Sequence, residues 1–167
     1  MPTEAARVEA IRQILIQLYS LHKAGLHSRH ISRIERECIF FLYEFAEVGK
    51  FDNSRPHSRA AKLLKASRPA KLHTHLTYDH AIPFATLRAE MMEAVESSQK
   101  MHAFLKRFIK GVVITRVEDR RLSQNLRRKL PPGALSHDMM ARYRAAEIAF
   151  DADDEKMLCA NLLKTDT

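Results

Sequence analysis

The stretch LHTHLTYDH, residues 72–80, separates this chain from an all-helical protein. Its apolar side chains recur at every second position, which is the period of a half-buried strand. The pattern predicts a strand over Leu72–Asp79 whose second face carries histidine and aspartate. The β-branched residues 112–115 are expected to pair with it, because such residues favour extended structure. The sequence therefore predicts a small two-stranded sheet near the middle of the chain.

The rest of the chain carries helical periodicity. Apolar residues three and four apart predict helices over residues 3–24 and 29–48, which are expected to form an antiparallel hairpin. A long central helix is predicted from residue 83 to 110, and Thr115 with Glu118 predicts a capping box that opens a short helix. The predicted fold class is α-rich α+β, with an N-terminal antiparallel helical hairpin, a long central helix and a small two-stranded sheet.

Length and composition favour one globular domain. The chain has 167 residues, of which 46% are hydrophobic and 29% charged, and no stretch has the composition of an interdomain linker. A single domain is predicted over residues 1–167. It consists of a helical hairpin (1–49), a basic strand–helix–strand core (50–130) and C-terminal helices (131–167).

Simple patterns exclude several classes of protein. No run approaches the ~20 apolar residues that a membrane-spanning helix needs. Residues 1–4 lack the basic start and apolar stretch of a secretory signal. The two cysteines do not have zinc-finger spacing, and the sequence has no P-loop, serine-hydrolase or zincin motif. We therefore expect a cytoplasmic protein without a membrane partner.

The formal net charge of +8 predicts an acidic partner, and the charge is unevenly distributed. Residues 1–50 have a net charge of +1 and residues 151–167 a net charge of −3. Residues 51–110 and 111–150 have net charges of +6 and +4. The positive field therefore belongs to the middle of the chain, and nucleic acid is the commonest partner of such a field.

Two basic segments flank the predicted sheet. If both lie beside the strand pair, they form a continuous positive surface that contacts several phosphates of DNA or RNA. The same surface also suits an acidic surface of a protein partner. The nucleic-acid-binding residues predicted in this way are Arg55, Arg59, Lys62, Lys65, Arg68, Lys71, Arg116, Arg120, Arg121, Arg127, Arg128 and Lys129.

The histidines of the predicted strand suggest a metal site. Residues two apart on a strand project to the same side, so His73 and His75 would offer imidazole nitrogens to one ion, with Asp79 further along. The pattern admits a divalent metal ion, Mg²⁺ or Zn²⁺. The alternative is that both histidines are polar residues on the solvent face of an edge strand.

The sequence Asp79-His80-Ala81-Ile82-Pro83 resembles the first motif of HNH, or His-Me finger, endonucleases. The resemblance implies that His80 is the catalytic base that activates water and that Asp79 is a ligand of a divalent metal ion. The alternative is an ordinary transition from a strand to a helix. Asp79 would then lie near the helix N-terminus, and Pro83 at an early helical position.

Three functions stay open at this point. The first is non-enzymatic binding of nucleic acid, or of a nucleic-acid-handling complex, through the central positive surface. The second is a metal-dependent, HNH-like phosphodiesterase that uses His80 and Asp79. The third is a non-enzymatic protein-interaction or inhibitor module. The apolar stripes of the first two helices are also broad enough for a homodimer.

Overall fold

The first helix begins where a threonine caps it. Thr3 Oγ1 accepts a hydrogen bond from a first-turn amide 3.3 Å away, and α1 (Glu4–Lys23) follows. Gly25, in the left-handed region with a φ of 104°, lies just beyond its end. The inward stripe of α1 is apolar at helical spacing. Its buried apolar residues are Val8, Ile11, Leu15 and Leu18.

The second helix is shorter than its sequence pattern predicts. α2 (Ser28–Ile39) packs against α1, so the predicted helical hairpin is confirmed. Instead of reaching residue 48, the helix continues as one turn of π-helix over Phe40–Glu44. The Phe45 amide donates to the Phe40 carbonyl at 2.8 Å, and the two rings stack with centroids 5.1 Å apart.

Residues 83–110 are helical in three pieces. A 3-10 turn (Phe84–Thr86) is followed by α4 (Arg88–Ala94) and α5 (Ser98–Phe108). Ser97 separates the two α-helices, because its Oγ accepts a hydrogen bond from the Lys100 amide at 3.1 Å and so caps a new helix. The predicted helical character of this segment is confirmed, but its continuity as one helix is not.

The predicted sheet is confirmed, with a later start to its first strand. β1 (Leu76–His80) pairs antiparallel with β2 (Gly111–Thr115), and Leu76 lies opposite Thr115. Lys71 has a left-handed backbone with a φ of 55°, and residues 72–74 form a 3-10 turn. This turn occupies the first part of the predicted strand, so β1 begins four residues later than the alternation of side chains indicates.

β2 is the central element of a slightly larger extended arrangement. All five of its residues are buried. Val113 exchanges backbone hydrogen bonds of 2.9 Å and 3.0 Å with residues 56 and 58. Ser58 in turn forms an antiparallel bridge with Phe150. The segments around residues 56–58 and around Phe150 are thus attached to the sheet.

The structure is a computed structural model that describes residues 2–122 and 124–160. The capping box predicted at Thr115 is confirmed, with Glu118 as its second residue. None of the helices in these two ranges has the length and the apolar character needed to cross a membrane. The helices not yet named are α3 (Arg59–Ala66), α6 (Arg116–Arg121), α7 (Gln124–Arg128), α8 (Ala141–Ala145) and α9 (Ala152–Cys159).

The chain divides into two compact units. The helical unit comprises Met1–Gly49 and Leu87–Lys106, and the sheet unit comprises Lys50–Thr86 and Arg107–Thr167. A single domain over residues 1–167 stays a prediction. The helical unit has nine basic and nine acidic residues, whereas the sheet unit has 19 basic and 11 acidic residues. The entire net charge of +8 therefore belongs to the sheet unit.

Candidate nucleic-acid interface

Asp79, the predicted metal ligand, belongs to an internal hydrogen-bonded cluster. The Arg142 guanidinium of α8 lies 3.1 Å from one carboxylate oxygen and 3.4 Å from the other. The Tyr143 hydroxyl donates to the same carboxylate at 2.9 Å. Burial raises the pKa of Tyr143 well above its ordinary value, so the hydroxyl keeps the proton that it donates. Both carboxylate oxygens of Asp79 are thus engaged by the protein itself.

Arg142 connects three parts of the sheet unit. Only 1% of its surface is exposed, and its guanidinium also donates to the carbonyl oxygens of His80 and Leu126. A buried guanidinium needs a compensating charge, which Asp79 supplies. Arg142 and Tyr143 were not predictable as partners of Asp79, because a contact across 63 residues leaves no local sequence pattern.

His80, the predicted catalytic base, is packed among aromatic rings. Its imidazole centroid lies 5.6 Å from the Tyr78 ring and 4.7 Å from the Phe84 ring, both in edge-to-face geometry. Adjacent side chains of a strand point to opposite faces. β1 therefore places the His80 imidazole and the Asp79 carboxylate on different sides of the sheet.

The grouping of His73 and His75 on one strand face is wrong. His73 lies in the 3-10 turn and His75 precedes β1, and both residues are exposed. The period-two rule does not apply outside an extended strand, so it does not place these imidazoles beside Asp79. Within residues 2–122 and 124–160, no group of three or more His, Cys, Asp or Glu side chains is arranged to hold a metal ion.

Two of the six cations of the first basic segment form ion pairs inside the sheet unit. Arg59 Nε lies 2.9 Å from Asp151 Oδ1, and Lys62 Nζ lies 2.9 Å from the other oxygen of the same carboxylate. Lys62 also contacts the buried carboxylate of Asp154. These ion pairs join α3 to the start of α9, and they reduce the positive field of the segment.

Lys65 is a structural residue. Its ammonium group donates to the Phe51 carbonyl at 2.8 Å, to the Asn53 side chain and to His57 Nε2 at 3.0 Å. His57 Nδ1 donates to the Arg55 carbonyl at 2.6 Å, so Nε2 is free to act as the acceptor. Burial lowers the pKa of His57, and the neighbouring ammonium lowers it further. A lysine whose three N–H bonds are used in this way does not reach a phosphate.

Two further cations of this segment remain exposed. Arg68 and Lys71 have left-handed backbones with φ values of 47° and 55°. In the part of the chain that the structure describes, neither side chain forms a hydrogen bond or an ion pair. Arg55, by contrast, donates to the Tyr78 hydroxyl at 3.1 Å, and its guanidinium lies 5.1 Å from the centre of that ring.

The second basic segment is open to solvent. Arg127 is paired with Asp119 at 2.7 Å, and Arg121 makes a long contact of 3.5 Å with a backbone carbonyl. The other four cations are exposed, and among the described residues their side chains form no hydrogen bond or ion pair. We call this group the open basic face; it consists of Arg116, Arg120, Arg128 and Lys129.

Side-chain hydrogen bonds hold the two helices that carry most of the open basic face. Ser58 Oγ donates to Glu118 Oε2 at 2.7 Å, which fixes α6 to the segment beside β2. Arg127 donates to both the backbone and the carboxylate of Asp119, which ties α7 to α6. The buried Arg142 guanidinium donates to a backbone carbonyl of α7. The open cations therefore project from an anchored surface.

A cavity of about 360 Å³ lies between α3, the loop before it and α9. Its charged groups largely satisfy one another, since Lys62 pairs with Asp154 and Lys65 donates within the loop. The residues that line it are Asn53, Arg55, His57, Lys62, Lys65, Asp153, Asp154 and Met157. Its lining is thus less suited to an anion than the open basic face.

No protein-family model, curated protein or solved structure matches this chain. A function therefore has to be argued from the chemistry of its own residues. The feature with the clearest chemical consequence is the open basic face, whose exposed cations on α6, on α7 and just after α7 have no acidic partner among the described residues.

Proposed function

We propose that this protein binds nucleic acid by placing the open basic face against the polyanionic backbone. The observation that carries the proposal is that the four exposed cations of this face, on α6, on α7 and at the residue after α7, have no acidic partner among the described residues. Phosphates attract such cations strongly, because binding releases the counterions condensed on the nucleic acid. Charge-assisted hydrogen bonds from arginine to phosphate add to this attraction.

The arrangement of the cations supports a repeating anionic ligand. Arg116 and Arg120 are four residues apart, which places them on neighbouring turns of one helix face. Arg128 and Lys129 follow at the end of α7, which Arg127 ties to α6. A ligand with several phosphates in a row engages such a set better than one small anion does.

The other functions deduced from the sequence stay predictions. One is an HNH-like phosphodiesterase that uses His80 and Asp79 with a divalent metal ion. The other is a protein-interaction or inhibitor module. The homodimer is also still a prediction. A cytoplasmic location is likewise a prediction. The engagement of Asp79 by Arg142 and Tyr143 favours a structural role for this carboxylate, which is why nucleic-acid binding is the function that we put first.

The test is a fluorescence-anisotropy titration of labelled 20-base-pair DNA and RNA at 0.1 M salt. Arg120→Gln combined with Arg128→Gln removes one open cation from each helix. We expect this double variant to weaken binding by on the order of tenfold, which corresponds to ~1.4 kcal/mol.

A matched control is Arg29→Gln combined with Arg33→Gln. These arginines are exposed on α2 of the helical unit, whose net charge is zero, and the change in net charge is the same. The control should bind as the wild type does. Absence of binding by the wild type, or equal weakening by both variants, would contradict the proposal. If the protein nicks a plasmid and this activity requires Mg²⁺ and His80, the result would instead support the HNH-like phosphodiesterase.

A further inference from the structure

The exposed side of α6 has an unusual composition. Arg116, Val117 and Arg120 are exposed, and 61% of the Val117 surface is accessible to solvent. The opposite side is buried, since Glu118 is held by Ser58. Val117 is a β-branched apolar residue beside two arginines that have no acidic partner among the described residues. The outer surface of this short helix can therefore make both polar and apolar contacts.

We infer that α6 enters the major groove of double-stranded DNA and that Arg116, Val117 and Arg120 contact base edges there. The inference rests on the proposed function and refines it: within the open basic face, Arg116 and Arg120 contact base edges, while Arg128 and Lys129 stay on the phosphates. Arginine donates two hydrogen bonds to guanine O6 and N7, and an apolar side chain contacts the C5-methyl group of thymine. Both kinds of contact are available on this one face.

The dimensions of α6 suit the groove of B-form DNA. An α-helix with its side chains is about 10–12 Å across, and the major groove is about 12 Å wide and admits a helix. The major groove of double-stranded RNA is too deep and narrow for side chains to read. The groove geometry therefore favours DNA over RNA as the duplex.

Within the described part of the sheet unit, the absence of an exposed aromatic ring favours a duplex over a single strand. Single strands are bound largely by stacking their bases on exposed aromatic rings. In the described part of the sheet unit, no Phe or Tyr ring is exposed. Arg128 and Lys129 are positioned beyond α6 in the chain and would remain on the phosphates that flank the groove.

The test is selection of binding sites from a pool of DNA duplexes with a randomised central segment. The wild type should enrich a short motif that contains guanine and thymine. Val117→Ala should lose the preference at the thymine, without any change in charge. Replacement of that thymine by deoxyuridine in the best duplex should weaken wild-type binding severalfold and leave Val117→Ala unaffected.

Arg128→Gln is the matched comparison. Because Arg128 contacts a phosphate, its replacement should weaken binding to every duplex by a similar factor. The enriched motif should stay unchanged. If the protein retains duplexes but no sequence motif is enriched among them, the inference that α6 reads bases is overturned and the proposed function stands. Tighter binding of single-stranded DNA or of RNA would also overturn the inference. If no nucleic acid is retained at all, the proposed function itself fails.

Discussion

At the scale of single residues, the positive charge of Arg142 is buried and is compensated by a neighbouring carboxylate. Its guanidinium is 1% exposed and compensated by the carboxylate of Asp79, which also accepts a hydrogen bond from Tyr143. The sequence pattern singled out Asp79 as a catalytic residue and metal ligand, which stays a prediction. Its partners follow in the chain by more than sixty residues, so only the folded backbone reveals that the carboxylate balances a buried charge.

Asp79→Asn should therefore destabilise the protein severely. The substitution leaves a buried guanidinium without its compensating charge, and breaking a buried ion pair in this way costs about 3–5 kcal/mol. Urea denaturation gives the free energy of unfolding. Asp119→Asn, which removes the more exposed partner of Arg127, is the control and should cost no more than about 1 kcal/mol. Equal stability of Asp79→Asn and the wild type would show that the pair is not a structural contact.

His57 should make the stability depend on pH. Burial lowers the pKa of this histidine in the folded state below its ordinary value of 6.5, so the unfolded state binds more protons at mildly acidic pH. The free energy of unfolding should fall as the pH drops through 6.5. The loss continues until the folded state also takes up the proton.

The measurement is the urea midpoint at pH 7.5, 6.5 and 5.5. His57→Gln should show a shallower decrease over this range, because the group responsible is absent. His73→Gln removes an exposed histidine and should keep the wild-type slope. A wild-type slope in His57→Gln would mean that other groups cause the pH dependence.

At the scale of elements, local side-chain chemistry overrides periodicity at two places. The apolar spacing of residues 83–110 predicts one helix, but Ser97 caps a new one. The alternation from Leu72 onward predicts a long strand, but the left-handed Lys71 and the 3-10 turn after it delay β1. The capping box at Thr115 was predictable, because both of its residues lie within one turn of helix.

Gly111 leaves the space that the Tyr78 ring occupies beside the β1–β2 pair. A Cβ atom at this position would lie 1.6 Å from the Tyr78 hydroxyl oxygen. Tyr78 is itself held by a hydrogen bond from Arg55, so its ring cannot move without losing contacts. Gly111→Ala should therefore lower the free energy of unfolding by about 1–3 kcal/mol.

The control for this substitution is Gly49→Ala. No atom lies within 4 Å of a Cβ built on Gly49, so the change should alter the stability by less than about 0.5 kcal/mol. Thermal or urea unfolding of the two variants gives the comparison. Similar effects of the two substitutions would mean that the ring of Tyr78 does not lie across Gly111.

At the scale of the whole molecule, charge is the property that distinguishes the two units. The helical unit is electrically balanced, and the sheet unit carries the entire net charge of +8. The sequence located this excess in the middle of the chain. It could not tell paired cations from open ones, because Arg59 and Lys62 meet their acidic partner, Asp151, across about ninety residues.

The most direct measurement is the salt dependence of binding to a DNA duplex, from 50 to 300 mM KCl. Each phosphate contact contributes about 0.9 to the slope of log K against log salt. Arg128→Gln combined with Lys129→Gln should reduce the magnitude of the slope by about 2, whereas Arg29→Gln combined with Arg33→Gln should leave it unchanged. Equal slopes for all three proteins, or wild-type binding that salt does not weaken, would contradict binding through the open basic face.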